Sequence, residues 1–275
     1  KQVQRFIDKL ELEPRTVRNV LSPLVDALDA AIFEELCREN VARAVTLPEL
    51  TKPELYKLSP EELQAFLAAI AGDCFEALYW LAMLGPRMGE LLALRRTDLD
   101  IEAGTITIRA GVRRLSQDDG PSELRRIGTK TEGSARTIRL PPQWIAVLRA
   151  HLARLEVEQG TKRWKEHGLL FPSTVGTLME RQNLANRSYK PALARAGLPA
   201  ELIRFHDLRH AAASMLIALR YDARTVADIL GHASPEFTLR QYAYAFEAVK
   251  ERAVADVGGL LGAAITIPSK VHDGS

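Results

Sequence analysis

Apolar positions recur at helical spacing along most of the chain and give way to strict alternation only once. Near the start, Thr16, Val17, Val20, Leu21, Leu24, Val25, Leu28 and Ala31 follow a helical period. They predict a helical segment over residues 1 to about 45, with a shorter helix ahead of Pro14. From Thr46 to Ser59 the period lapses; Pro48 and Pro53 fall in this stretch, with Pro60 at its end. This reads as a linker between two folded parts. Ser59-Pro60-Glu61-Glu62 is then a capping box with proline at the first helical position, sending Leu63, Phe66, Leu67 and Ile70 inward. A further apolar helix is expected from about Asp73 to Leu84, broken by Gly85-Pro86. Arg87 then falls in the first turn of a helix carrying Leu91, Leu92 and Leu94.

The period changes to two at Thr105, where Ile106, Ile108, Ala110 and Val112 alternate with other residues and predict a strand entered through the turn Glu102-Ala103-Gly104. Two more strands are expected near Arg125–Lys130 and Ala135–Leu140, joined as a hairpin through Thr131-Glu132-Gly133-Ser134. Helical spacing returns over Pro141–Gln159, with Trp144, Val147, Leu148, Leu152 and Leu155 as its stripe. A polar loop over Thr161–Gly168, a short buried entry at Leu169-Leu170-Phe171-Pro172 and a helix from about Arg181 to Ala196 follow. Near the end, Phe246, Val249, Ala253, Val257 and Leu260 make an amphipathic helix ahead of a loose tail, Ala263–Ser275. The expected class is therefore mainly α with a small antiparallel β-sheet, an α+β arrangement.

Composition narrows this picture only slightly. At 275 residues, 47% hydrophobic and 26% charged, the chain suits one sizeable core and a second, smaller one. A net charge of +2 does not by itself indicate nucleic acid. Its distribution is more telling: residues 109–140 hold eight Lys/Arg against four Asp/Glu, net +4, whereas residues 1–55 hold eight against ten, net −2. A small sheet bearing the basic stretch could follow a phosphate backbone, although a merely solvated charged face fits the composition equally well. Cys37 and Cys74 are the only cysteines, which argues against a disulfide framework and suits a reducing cytoplasm. No apolar run reaches the length of a membrane span. The first residue is Lys1 rather than Met, so a piece of a longer polypeptide is expected.

The candidate chemistry lies between His206 and Tyr242. In His206-Asp207-Leu208-Arg209-His210, helical pitch brings His206, Arg209 and His210 to one face, with Ala213 and Ile217 behind them. Leu208, Ala211, Ala212, Met215 and Leu219 form the stripe expected to meet a core, leaving the polar heads over a cavity. Asp222 is placed to cap a short helix whose Val226, Ile229 and Leu230 face inward and which Gly231 ends in a left-handed turn. His232 then sits just past a helix C-terminus, where the dipole favours imidazolium. Ser234-Pro235 reads as N-cap and first residue of another helix, with Tyr242 about two turns along it. Arg87, on a helix N-terminus, is a ready anion site. Several cations with one tyrosine suit phosphate chemistry.

Taken together, Arg87 in Gly85-Pro86-Arg87-Met88-Gly89-Glu90-Leu91, Lys130 in the hairpin, His206-x-x-Arg209, Leu230-Gly231-His232 and Tyr242 resemble the tyrosine recombinase (phage integrase) family. The resemblance implies a catalytic domain over residues 58–262, a linker over 51–57, a tail over 263–275 and a partial helical core-binding domain over 1–50, where Pro14-Arg15-Thr16-Val17-Arg18-Asn19 carries it more weakly. It also implies roles. Tyr242 would attack a DNA phosphodiester and form a 3′-phosphotyrosyl link. Arg87, Arg209 and His232 would bind the non-bridging oxygens, His206 would assist proton handling, and Lys130 would protonate the departing 5′ oxygen. Glu90 is expected to support the cluster structurally. No cofactor or metal is implied. The expected partners are double-stranded DNA, further copies of the chain in a homo-tetramer joined through the C-terminal helix 246–261, and accessory DNA-bending or directionality factors. The expected setting is a bacterial or phage-encoded, nucleoid-associated protein of the cytoplasm.

Three rival readings start from the same residues. His206 and His210, four apart, imitate a zinc-protease motif, but the cationic Arg209 opposes a metal. Tyr244 competes with Tyr242 for the nucleophile, yet a two-residue step turns a helical side chain through about 200°, so only one of them can face a given phosphate. A type IB topoisomerase or a non-catalytic DNA-binding regulator would share much of the motif set. The regulator is expected to lack the tyrosine or an arginine, and neither is missing here.

Overall fold

The computed structural model describes residues 1–50, 56–117, 120–128, 135–160 and 163–264. They form two compact units, one within residues 1–50 and one from Tyr56 onward.

In the first unit, α1 (Gln2–Asp8) and α2 (Pro14–Phe33) share a small core of Ile7, Val17, Leu21 and Ala42. Pro14 opens α2, where its missing N–H costs nothing, and the helix runs on through Pro23. Helix stops at Phe33 rather than near residue 45. Glu35 adopts φ 59°, and the following loop is held by Asn40, which donates to Asp29 Oδ1 (2.6 Å) and to the Val25 carbonyl (2.9 Å). The buried stripe is also narrower than its pattern suggested. Val17 and Leu21 are buried and Val25 and Leu28 pack beside them, whereas Val20 and Leu24 stay 38% and 36% exposed.

The second unit is built of α3 (Pro60–Ala69), α4 (Glu76–Ala82), α5 (Met88–Leu91), β1 (Leu99–Asp100), β2 (Thr105–Ile108), β3 (Ala110–Gln117), β4 (Gly120–Gly128), β5 (Arg136–Arg139), α6 (Pro142–Gln159), α7 (Arg181–Leu184), α8 (Lys190–Arg195), α9 (Phe205–Ala218), α10 (Ala223–Leu230), α11 (Pro235–Gln241) and α12 (Ala243–Ala264). The capping box at α3 is present: Ser59 Oγ accepts the Glu62 N–H (3.2 Å) and Glu62 accepts the Ser59 N–H (2.8 Å). The helix expected over Arg181–Ala196 is interrupted by a π-turn, Ala185–Tyr189. Pro191 explains the wide turn, since it has no N–H and its ring would clash with the carbonyl four residues back.

Alternation survives from β2 into β3, with Ile106, Ile108, Ala110 and Val112 all at 2% exposure or less. The pairing differs from expectation. β2 pairs with β1 and β5 in a three-stranded antiparallel sheet, with Ile106 opposite Ile138; β3 pairs with β4, with Arg113 opposite Arg125. The strands on either side of Thr131–Ser134 are therefore not partners: the long strand run divides, its first half taking β5 and its second half β4. The turn itself lies outside the described residues. The main core gathers α3, α4, the sheets, α6 and α9 around edge-to-face contacts of Phe66 with Tyr79 and Tyr189, and of Tyr189 with Phe205.

His151 on α6 joins this core at 5% exposure. One ring nitrogen, Nε2, lies 2.7 Å from the Leu170 carbonyl, while Nδ1 lies 2.7 Å from Arg154 Nη2. The ring is thus neutral, donating from Nε2 and accepting at Nδ1. Burial, and the adjacent Arg154, push it down to about 4. An unfolded histidine takes its proton near pH 6.5, so the unfolded state binds more protons between pH 6.5 and 4 and stability falls as pH drops through that window. A His151→Gln variant, which keeps polar partners without titrating, is expected to show a shallower loss of Tm over that range in thermal melts. Parallel curves would refute this.

Candidate active site

The start of α9 is set by Asp207. Its buried carboxylate accepts the Arg204 backbone N–H (2.8 Å) and Arg204 Nη2 (2.9 Å), so the acid of His-Asp-Leu-Arg-His serves the helix start. One face of α9 meets the main core, as expected. The other does not simply overhang a cavity: Ala213 and Ile217 are buried with Val226, Leu230 and Tyr242 in a second cluster. α10 and α12 cover this side, with Tyr242 between α11 and α12, and no pattern within α9 could show that. Leu219, expected in the core, is 70% exposed because the helix has ended before it.

α10 presents His232 by backbone means. Asp222 Oδ1 accepts the N–H groups of Arg224 (2.8 Å) and Thr225 (3.0 Å), and Gly231 closes the helix at φ 69°, ψ 49°. Glycine is required twice over at this position, because a Cβ would also come within 2.4 Å of Arg136 Nη1. Ser234 caps α11 with Pro235 behind it, and Tyr242 is the residue that ends α11, before α12 departs.

These segments converge. Arg209, 3% exposed, donates through Nη1 to the carbonyls of Gly85 and Leu230 (the latter 2.6 Å), tying the turn before Arg87 to the end of α10. Arg87 is half exposed and lies against the Gly231 carbonyl, 3.4 Å from both terminal nitrogens. Glu90 accepts the Arg87 backbone N–H (2.9 Å), Arg87 Nη1 (2.8 Å) and Arg136 Nη2 (2.9 Å). Burial opposes ionisation of Glu90, but Arg136 and Arg87 outweigh it and hold its carboxyl below the usual range. Arg136 also donates from Nε to the Ile229 carbonyl (3.0 Å). Two buried guanidinium nitrogens, Arg209 Nη2 and Arg136 Nη1, have no hydrogen-bond partner among the described residues. Desolvated N–H groups left so are expensive unless an anion meets them. Arg209 is lowered to about 9 by burial and by Arg87, and remains charged at neutral pH.

His232 departs from expectation. Burial, followed by the charges of Arg209, Arg87 and Arg136, pushes it down to about 4. Burial together with three guanidinium groups outweighs the half charge at a helix C-terminus, so the ring is neutral rather than imidazolium. Its Nδ1 lies 2.6 Å from the hydroxyl of Thr238, a fully buried residue. When Thr238 donates, the ring proton is held on Nε2, the tautomer that can donate to an anion. Thr238→Val keeps the shape and removes this control, so cleavage of DNA is expected to slow roughly tenfold with Tm little changed. An unchanged rate would show that the hydroxyl does not set the tautomer.

The Tyr242 ring stacks on His232 (centroids 6.2 Å, 19° between planes) and its hydroxyl lies 3.0 Å from His210 Nδ1. Tyr244 points elsewhere: it is 41% exposed, 2.9 Å from the Ser214 hydroxyl and beneath Lys57. His206 lines a cavity of about 610 Å³ together with Arg87, Arg113, Arg181 and Arg204. Its ring stands edge-on to His210 at 4.8 Å; the histidine in hydrogen-bond reach of the Tyr242 hydroxyl is His210. Lys130 lies outside the described residues. Arg87, Glu90, Arg209, His232 and Tyr242 are therefore brought together, with His206 at the cavity wall. Sequence reasoning had not singled out Arg136, Thr238 or Arg181, nor given His210 a role at the tyrosine. Arg136 had figured only within the basic stretch, and the signal that marks it is the pairing of β5 beside α10. Among the described residues no three His, Cys, Asp or Glu side chains converge as a metal site, and no helix is long and apolar enough to cross a membrane.

A model of the phage integrase family matches residues 57–248. The chain belongs to this family. Among curated members, it is 28% identical over 278 residues to a "Tyrosine recombinase XerC-like" protein of Caldanaerobacter subterraneus subsp. tengcongensis, covering 94% of this chain and 70% of that one. It is 30% identical over 236 residues to the integrase of Mycobacterium phage FRAT1, covering 82% of this chain and 65% of the phage protein. The chain thus spans just under two thirds of that phage integrase. In fold, it resembles the integrase of transposon Tn1549 in complex with a circular intermediate DNA (TM-score 0.70, 21% identity, 91% of this chain and 83% of that one). The mainly α family fold with its small antiparallel sheets is the one that the motifs implied.

Proposed function

We propose that this phage integrase family member is a site-specific DNA recombinase, a metal-independent tyrosine recombinase that integrates or excises a mobile element by cutting and rejoining DNA. Tyr242 attacks the phosphorus to give a 3′-phosphotyrosyl link and a free 5′-hydroxyl, and the reverse attack rejoins strands without an external energy source. Arg87, Arg209 and neutral His232 bind the non-bridging oxygens, where charge grows in the transition state. Glu90 holds Arg87, and Lys130 protonates the leaving 5′ oxygen. His206, at the cavity wall, serves proton handling around the same phosphate. Residues 58–262 make up the catalytic domain, 51–57 the linker and 1–50 part of a core-binding domain.

The observation that carries this reading is the buried Nη2 of Arg209, without a hydrogen-bond partner among the described residues, beside Arg87 and His232, with one phenol stacked on that histidine. The first turns of α12 pack through Ala245, Phe246 and Val249, while Val254 and Val257 remain 69% and 55% exposed. This uncovered apolar stretch supports assembly as a homo-tetramer on synapsed duplexes through residues 246–261, with accessory DNA-bending or directionality factors as further partners.

The test is incubation with nicked suicide substrates carrying the cognate site. A DNA adduct that survives denaturation and maps by mass spectrometry to the peptide holding Tyr242 is expected. Tight binding without adduct would instead indicate a DNA-binding regulator. Cleavage by a species that never exceeds one protomer per duplex would indicate a topoisomerase.

A further inference from the structure

A buried phenol is a poor nucleophile until something takes its proton. Tyr242 is 1% exposed, and burial, only partly opposed by Arg209, pushes its hydroxyl up to about 12. Attack on phosphorus therefore requires a base at the phenolic oxygen as the O–P bond forms. Among the described residues, the basic group in hydrogen-bond reach of that oxygen is the His210 ring, with Nδ1 at 3.0 Å and ring centroids 5.6 Å apart.

We propose that His210 is a catalytic residue, the general base that accepts the Tyr242 proton during strand cleavage. The inference rests on Tyr242 being the nucleophile. In the step, the Tyr242 O–H bond breaks and its proton passes to His210 Nδ1. The phenolic oxygen bonds to phosphorus, the bond from phosphorus to the 5′ oxygen breaks, and that oxygen takes a proton from Lys130. Religation runs the same transfers backward, so His210 returns the proton to the departing phenol. No oxidant or co-reactant is needed.

The surroundings suit a base. Desolvation, reinforced by Arg204 and Arg209 and partly offset by Asp207, lowers His210, so the ring is neutral at physiological pH and its Nδ1 lone pair is available to the phenol. His206 stands edge-on at 4.8 Å, another ring lowered to about 4 by desolvation, His210 and Arg209, and so adds no positive charge at neutral pH. The position also has a geometric logic. Arg209 and His210 are consecutive on α9, so one rigid helix holds an oxygen-binding cation and the base against the same tyrosine.

Glutamine separates a base from a mere tether, because its side-chain oxygen can accept the Tyr242 hydrogen bond but cannot take the proton. His210→Gln and His210→Ala are each expected to slow adduct formation on the suicide substrate by roughly 10²–10⁴-fold, with DNA binding by gel shift retained. Wild-type rates in His210→Gln, or faster cleavage in His210→Ala, would overturn the proposal by showing that the contact only positions or restrains the tyrosine. Loss of DNA binding in both variants together with their activity would also count against it, since a base is not needed to hold the substrate. Tyr242→Phe runs alongside: an adduct persisting there sinks the nucleophile assignment itself, whereas its loss with full activity in His210→Gln sinks only the role given to His210.

Discussion

Tyr242→Phe is expected to abolish the covalent DNA adduct while leaving DNA binding within about twofold and the fold intact. The physical reason is the division of labour in this side chain. Its ring packs with Ala213, Ile217, Val226 and Leu230 and stacks on His232, and phenylalanine repeats those contacts. The hydroxyl alone carries the chemistry, and among the described residues its one side-chain hydrogen bond is to half-buried His210, so its removal costs roughly 1 kcal/mol of stability. The neighbouring phenol is not placed to substitute: Tyr244 is turned to Ser214 and the Lys57 ammonium. Tyr244→Phe is accordingly expected to form adduct at near wild-type rate. Gel analysis of the denatured reaction decides the matter, and a reversed pattern would move the nucleophile to Tyr244.

Arg209 is expected to give the next largest effect, and its two natural replacements separate chemistry from architecture. In Arg209→Lys the charge remains but the planar fork is lost, so one nitrogen must serve both the carbonyls of Gly85 and Leu230 and the phosphate. Adduct formation is expected to fall roughly 10²–10³-fold, the scale for losing one transition-state donor, with only a modest drop in Tm. Arg209→Ala loses the same donor and also strands two carbonyls in a site that is only 3% exposed in the native protein. Each stranded carbonyl costs roughly 1–3 kcal/mol, and each kcal/mol lowers the Tm of a domain of this size by about 2–4 °C. Melting curves and adduct rates measured together check both halves. If lysine retained the full rate, Arg209 would be a structural staple and nothing more.

Much of this architecture was legible before any coordinates, for local reasons. The capping box at Ser59, the Asp222 cap, the left-handed Gly231 and the Ser234-Pro235 start depend on hydrogen bonds within a few residues, and all are present. The alternation from Ile106 to Val112 likewise reports a face that a strand cannot hide. Partner choice was not legible. The strand near Arg125 was expected beside the one at Ala135, yet each pairs with a different half of the preceding strand run. Pairing is settled by which faces can be buried together, and a turn motif reports only proximity in sequence.

The same boundary runs through the site. Linear order and spacing marked Arg87, Arg209, His232 and Tyr242, because a motif preserves residue types at fixed offsets. Their electrostatics belong to the assembled site. His232 reads as imidazolium from its place after a helix, and is neutral because the fold buries it and, after that, because Arg209, Arg87 and the distant Arg136 surround it. His210 looked like half of a metal motif until α11 delivered the Tyr242 hydroxyl to its ring. Sequence by itself determined which groups are present and how each short segment folds, since caps, turns and amphipathic faces act over a few residues. Tertiary structure alone decided which charges share one desolvated space, and with it which groups carry protons, because Coulomb interactions and burial depend on distances through space.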